Sequence, residues 1–104
     1  MTDRIEKLRA FLNESPDDCF LNHALALELI KLGDNTEAKI LFEKNLQNDP
    51  KYAATYYHLA KLLERIGKTD AAIKIYENGM EEAKKASDNH AYNELRSAYE
   101  ELIY

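Results

Sequence analysis

The chain has 104 residues, 45% of them apolar, with three glycines, two prolines and a formal net charge of −5. Such a length supports one small core, and the dominance of Leu, Ala, Glu and Lys favours helix over hairpins or long loops. The acidic balance argues against a phosphate backbone as partner, since nucleic-acid binding needs a basic face, and the single cysteine excludes an internal disulfide.

In chain order, the opening MTDRIEKLRAFL mixes charge into every turn, so neither a signal peptide nor a membrane span is expected. Residues 2–14 read as one helix. Ser15-Pro16 then has the look of an N-cap followed by proline at the first helical position. A helix with the apolar stripe Leu25, Ala26, Leu29 and Leu32 follows and stops at Gly33. A second stripe runs Ala38, Leu41, Phe42 and Leu46. Asp49-Pro50 repeats the capping signal, and Tyr56, Leu59, Ala60, Leu63 and Ile66 form the next buried face. Gly67 supplies another stop, where positive φ carries no Cβ penalty, and Thr69 is expected to cap a helix with the stripe Ala72, Ile73, Tyr76 and Met80. Residues 88–103 close the chain as a capping helix. Its Tyr92, Leu95, Tyr99 and Leu102 echo Tyr56, Leu59, Leu63 and Ile66, with Arg96 where Ala60 stood.

Self-similarity organises these elements. A shift of 34 residues places Leu25 on Leu59, Ala26 on Ala60, Leu29 on Leu63, Gly33 on Gly67, Ala38 on Ala72, Phe42 on Tyr76 and Pro16 on Pro50. Each unit is therefore a pair of antiparallel helices. Ala26 with Ala38, and Ala60 with Ala72, let the two helices approach closely. The expected fold is all-α, a helical solenoid read as one domain over 1–104. It has a half-repeat helix at 2–14, repeats at 17–50 and 51–85, and a cap at 88–103 that shields the last unit from water.

A 34-residue helix–turn–helix repeat with these residues resembles the tetratricopeptide repeat (TPR) family. The second unit carries the family's pattern in Tyr56, Leu59, Ala60, Leu63, Ala72, Tyr76 and Gly79, with Lys84 in place of the proline. The first carries it in Leu25, Ala26, Leu29, Ala38, Phe42 and Pro50. It departs at Asn22, where a bulky residue is usual, and at Asn45, where a small one is, and both departures are expected to weaken packing. The resemblance spans roughly residues 3–103 and implies a fold, not a ligand. It further implies a concave groove lined by first helices. Groove positions fall on Phe20, His23, Leu27, Ile30 and Lys31 in the first unit, and on Ala54, Tyr57, Lys61, Glu64 and Arg65 in the second, with Tyr52 at the rim. That mixture of apolar anchors and cations suits an extended peptide with acidic and hydrophobic side chains. Co-chaperone TPR domains grip a C-terminal carboxylate through lysine and asparagine. Here Leu27 and His58 stand in two clamp-asparagine places, so that clamp pattern is absent.

Other chemistry carries less. Cys19 and His23 lie four apart on one helix, a spacing that suits two metal ligands, but a structural zinc site needs four. Cys19 stands at a helix start, a place that can lower a thiol pKa, yet nothing supplies an oxyanion hole, and Cys19 reads instead as a small residue in an interhelix contact. The reading is a cytoplasmic adaptor that binds a partner peptide or domain, with no cofactor, no metal, no nucleic acid, no membrane and no catalysis. The second reading is structural self-association, a symmetric homodimer burying Phe20, Leu27 and Tyr57.

Overall fold

The computed structural model describes residues 3–104. Met1 and Thr2, and with them the expected start of the first helix at residue 2, lie outside the described residues. Six helices and no strand make up the described chain: α1 (Asp3–Glu14), α2 (Cys19–Lys31), α3 (Asn35–Asn48), α4 (Ala53–Arg65), α5 (Thr69–Lys85) and α6 (Asn89–Ile103). They fall into two compact units, one ending at Asp49 and one spanning Pro50–Tyr104.

In the first unit α2 packs against both α1 and α3. Ile5 and Leu8 of α1, Leu25, Ala26 and Leu29 of α2, and Ala38 and Phe42 of α3 are buried. Leu32, expected to extend the α2 stripe, is instead the C-cap and is exposed. In the second unit α5 packs against α4 and α6, and α4 also touches α6. Its core holds Tyr56, Leu59, Ala60, Leu62 and Leu63 of α4, Ala72, Tyr76 and Ala83 of α5, and Leu95 and Ala98 of α6. Arg96 is exposed and pairs with Glu100 at 2.9 Å, so the cation that replaces a small residue meets no packed neighbour.

Three turns share one construction. At Leu32-Gly33-Asp34 the Asp34 N–H donates to the Leu29 carbonyl at 2.9 Å. At Ile66-Gly67-Lys68 the Lys68 N–H donates to Leu63 at 2.8 Å, and at Ala86-Ser87-Asp88 the Asp88 N–H donates to Ala83 at 2.9 Å. This closure of the last helical turn needs a left-handed residue at its centre. Gly33 (φ 84°) and Gly67 (φ 83°) supply it without strain, and Ser87 (φ 56°) supplies it at the cost of a Cβ.

The helix starts differ from the sequence expectation. Neither Ser15 nor Asp49 is an N-cap, and neither proline is a first helical residue. Asp18 caps α2, its side chain accepting from the Leu21 N–H at 3.0 Å, and Tyr52 precedes α4 without a side-chain cap. Thr69 is already inside α5, behind Lys68. Pro16 and Pro50 act instead through their carbonyls. Asn22 Nδ2 donates to the Pro16 carbonyl at 3.0 Å and to the Asp18 carbonyl at 3.1 Å, while the Tyr56 hydroxyl donates to the Pro50 carbonyl at 2.6 Å. Residues 34 apart thus use different chemistry to tie the same turn to the same helix.

That pairing also explains the two departures from the repeat pattern. A Cβ on Gly79 would sit 2.6 Å from the Tyr56 Cβ and 2.8 Å from its Cγ, so the bulky ring on α4 demands a glycine on α5. In the first unit the demand is reversed. Asn22 is small, and Asn45, which stands 34 residues before Gly79, carries a side chain that is fully buried and donates to the Cys19 carbonyl at 2.9 Å. The two departures read as one exchange of volume between paired helices, with the Asn45 Oδ1 buried and given no hydrogen-bond partner.

Two outcomes follow for stability in urea. Asn22→Tyr alone should lower stability by about 1–3 kcal/mol through overpacking against Asn45, and adding Asn45→Gly should recover part of that loss as a favourable coupling. Additive effects in the double-mutant cycle would refute the exchange. Ser87→Gly should stabilise the fold by about 1 kcal/mol, whereas Gly33→Ala and Gly67→Ala should destabilise it by about the same amount.

Candidate protein-binding faces

α2 carries its candidate residues on a face that the structure only partly leaves open. Phe20, one residue into the helix, is 64% exposed, Leu27 and Ile30 are half-buried, and Lys31 is exposed. His23 differs: it is 8% exposed, with its ring 5.6 Å from that of Phe42 at a tilt of 52°. The imidazole belongs to the α2–α3 contact, so the first unit brings Phe20, Leu27 and Lys31 to its α2 surface without His23. Lys31 Nζ lies 3.2 Å from Glu28 Oε2, and Arg4 Nε reaches the same oxygen at 3.2 Å. The hydrogen bond from Lys31, assisted by Arg4, holds the Glu28 carboxyl below its usual range.

α4 carries a more organised face. Tyr57, Lys61 and Arg65 recur every four residues, one above another along one side of the helix. Tyr57 and Lys61 are half-buried, Ala54 and Arg65 exposed. The Lys61 ammonium stands 5.8 Å from the centre of the Tyr57 ring, within cation–π range. It also lies 3.9 Å from Glu64 Oε2, and the buried Tyr76 hydroxyl donates a short hydrogen bond to that same oxygen. Burial, and then Glu64, drive the Tyr76 pKa far above the ordinary tyrosine value, so its hydroxyl remains a donor. Tyr52 is half-buried just before the helix, its carbonyl accepting from the Thr55 N–H at 3.2 Å.

His58 stands edge-on to Tyr57, ring centres 5.3 Å apart. Burial lowers its pKa and Arg65 lowers it further, against an opposing pull from Glu94 of α6. The face therefore favours a neutral imidazole beside a tyrosine, a lysine and an arginine.

The structure adds members that sequence reasoning did not connect. The bond from Tyr76 to Glu64 links a core residue of α5 to a surface residue of α4, and Glu94 comes from the last helix. Neither link has a spacing signature, because both join different helices. Cys19 corrects an expectation. It is half-buried, and burial first, then Asp49, Asp18 and Asp17, push its thiol pKa up, not down. Among the described residues no group of three or more His, Cys, Asp and Glu converges to hold a metal ion. None of the described helices is long and apolar enough to cross a membrane.

Comparison with known proteins places this architecture. The tetratricopeptide repeat family model matches residues 29–99. A tetratricopeptide repeat domain protein from Salinibacter ruber, solved by NMR, is 40% identical over 84% of this chain and 88% of that one, with a TM-score of 0.80. A protein from Bordetella parapertussis is 24% identical over 99% of this chain and 90% of that one, with a TM-score of 0.83. The TPR2B domain of yeast Sti1, solved in complex with pHsp70, shares the fold at a TM-score of 0.87 and 16% identity, over 95% of this chain and 79% of that one. No curated protein sequence matches the chain. With a family model spanning most of its length and an all-α helical-repeat fold, the chain belongs to the tetratricopeptide repeat family.

Proposed function

We propose that this chain is an adaptor that holds a peptide segment or domain of a partner protein on its first-helix faces, without catalysis and in the cytoplasm. The TPR family is a family of protein-interaction modules, and the similar Sti1 domain was solved with pHsp70 bound. The observation that carries the reading is the α4 face, where Lys61 covers the Tyr57 ring and an exposed Arg65 follows one turn on. An aromatic surface flanked by cations suits a partner that presents hydrophobic and acidic side chains in alternation. Phe20, Leu27 and Lys31 place apolar side chains and a cation on α2 as well. The residues occupying two clamp-asparagine places, Leu27 and His58, direct the proposal away from a carboxylate clamp, since neither supplies an amide.

Self-association is the competing reading, favoured by one observation: Phe20 stands 64% exposed at the start of α2, a large apolar side chain in a place where a symmetric contact would bury it.

An affinity capture from the native lysate with wild type and with Tyr57→Ala/Lys61→Ala separates the two. The pair should weaken capture of a specific partner by about tenfold or more, with an unchanged helical circular-dichroism signal. A partner held equally well by the variant would refute the α4 assignment. If light scattering instead gives a concentration-dependent dimer that Phe20→Ala dissolves, self-association replaces the adaptor reading.

A further inference from the structure

α4 contains a single acidic residue, Glu64, and it stands beside the cation on which the proposed binding face depends. A carboxylate so placed competes with any carboxylate that a partner brings to Lys61. The competition is incomplete. Lys61 Nζ stays 3.9 Å from Glu64 Oε2, whereas along their own helices Lys39 and Glu43 close to 2.8 Å, Lys31 and Glu28 to 3.2 Å, and Lys85 and Glu82 to 3.6 Å. The oxygen on which Lys61 does not close is the one that accepts the Tyr76 hydroxyl from α5. We propose that Tyr76 is a positioning residue of the α4 face: its hydroxyl holds Glu64 off Lys61 and so keeps the ammonium over the Tyr57 ring, open to an acidic group of a partner. The acidic partner is taken from the adaptor reading above, and the hold on Lys61 exists in the chain alone.

The internal repeat separates the hydroxyl from the ring that carries it. The places of Tyr57, Lys61, Glu64 and Tyr76 are taken, 34 residues earlier, by His23, Leu27, Ile30 and Phe42. The phenol oxygen, the carboxylate and the ammonium are replaced together. Phe42 is fully buried, as Tyr76 is, so this place in the core takes a ring with or without its oxygen. Packing between the paired helices therefore does not call for the hydroxyl. It occurs in the unit where position 64 is an acid, and it is absent in the unit where position 30 is apolar.

A neutral donor suits this task better than a cation would. Tyr76 anchors a carboxylate oxygen without bringing a charge of its own, so the positive potential of Lys61 and Arg65 is left in place. Burial and Glu64 itself keep the hydroxyl protonated, so the anchor does not titrate away. Glu64 and Lys61 are both half-buried at the surface, where water and salt weaken their mutual attraction. A hydrogen bond from a buried hydroxyl to an ionised acceptor outweighs such a pair, and Tyr76 thereby decides where the carboxylate points. Without it Glu64 is at liberty to turn onto Lys61, one turn away on the same helix, and to draw the ammonium off the ring.

The test follows Lys61 by NMR in the whole chain, alone and with one defined probe, the peptide acetyl-Phe-Asp-Phe-Asp-amide. In the wild type the Lys61 ε-methylene protons should be shifted upfield by the Tyr57 ring. Tyr76→Phe should reduce that shift and weaken the probe about threefold, the scale of a surface ion pair. Glu64→Gln should keep the shift and strengthen the probe by about the same factor, and Tyr76→Phe added to it should then change neither. That rescue separates holding a carboxylate from filling the core. Equal losses from Tyr76→Phe with and without Glu64→Gln, an unaltered Lys61 shift in Tyr76→Phe, or weakening by Glu64→Gln alone would overturn the proposal. If the Lys61 shifts and their rescue are as expected but the wild type does not bind the probe, the positioning role stands and the α4 face is refuted as a site for an acidic partner.

Discussion

Close approach of paired helices is the constraint on which the rest of this molecule depends. Ala26 and Ala38 in one unit, and Ala60 and Ala72 in the other, are all fully excluded from solvent. Backbones can come this near only where neither side brings more than a methyl group, and larger side chains must then interlock above and below the contact. Phe42 and Tyr76 do so as fully buried rings. Once the pair is drawn together, each first helix has one face committed to the core and one left outside, and the outer face is where Tyr57, Lys61 and Arg65 stand.

The same constraint makes local exchanges between repeats informative. A large ring at position 56 is accommodated by an absent side chain at position 79; an asparagine at position 22 coexists with another asparagine at position 45. Both arrangements keep the preceding turn tied to the helix through a proline carbonyl. What varies is where volume sits: in the second unit it fills the slot beneath the turn, and in the first it lies between the helices.

Electrostatics on the α4 face are organised from the interior outward. The Tyr76 hydroxyl, held protonated by burial, donates to Glu64, and Glu64 in turn lies near Lys61 over the Tyr57 ring. A side chain of the core thereby orients a cation on the surface. Such a chain of contacts restricts the rotamers open to Lys61 in the free chain. On α2 the corresponding cation, Lys31, is shared with Arg4 around Glu28 and has no aromatic beneath it.

The 34-residue periodicity, the paired alanines, the two glycines and the apolar stripes were legible in the sequence because each is a local rule of helix geometry. They sufficed for six helices and for the family. The helix starts were less legible: a proline after a serine or an aspartate has the same sequence signature whether its ring or its carbonyl matters. Only the tertiary structure showed that the carbonyl does, because its partner lies six residues on, around a turn. The inward position of His23, the raised Cys19 pKa and the Tyr76–Glu64 bond were decided at the same level. Each depends on which helix faces which, and that is a property of packing between elements that no spacing within one element encodes.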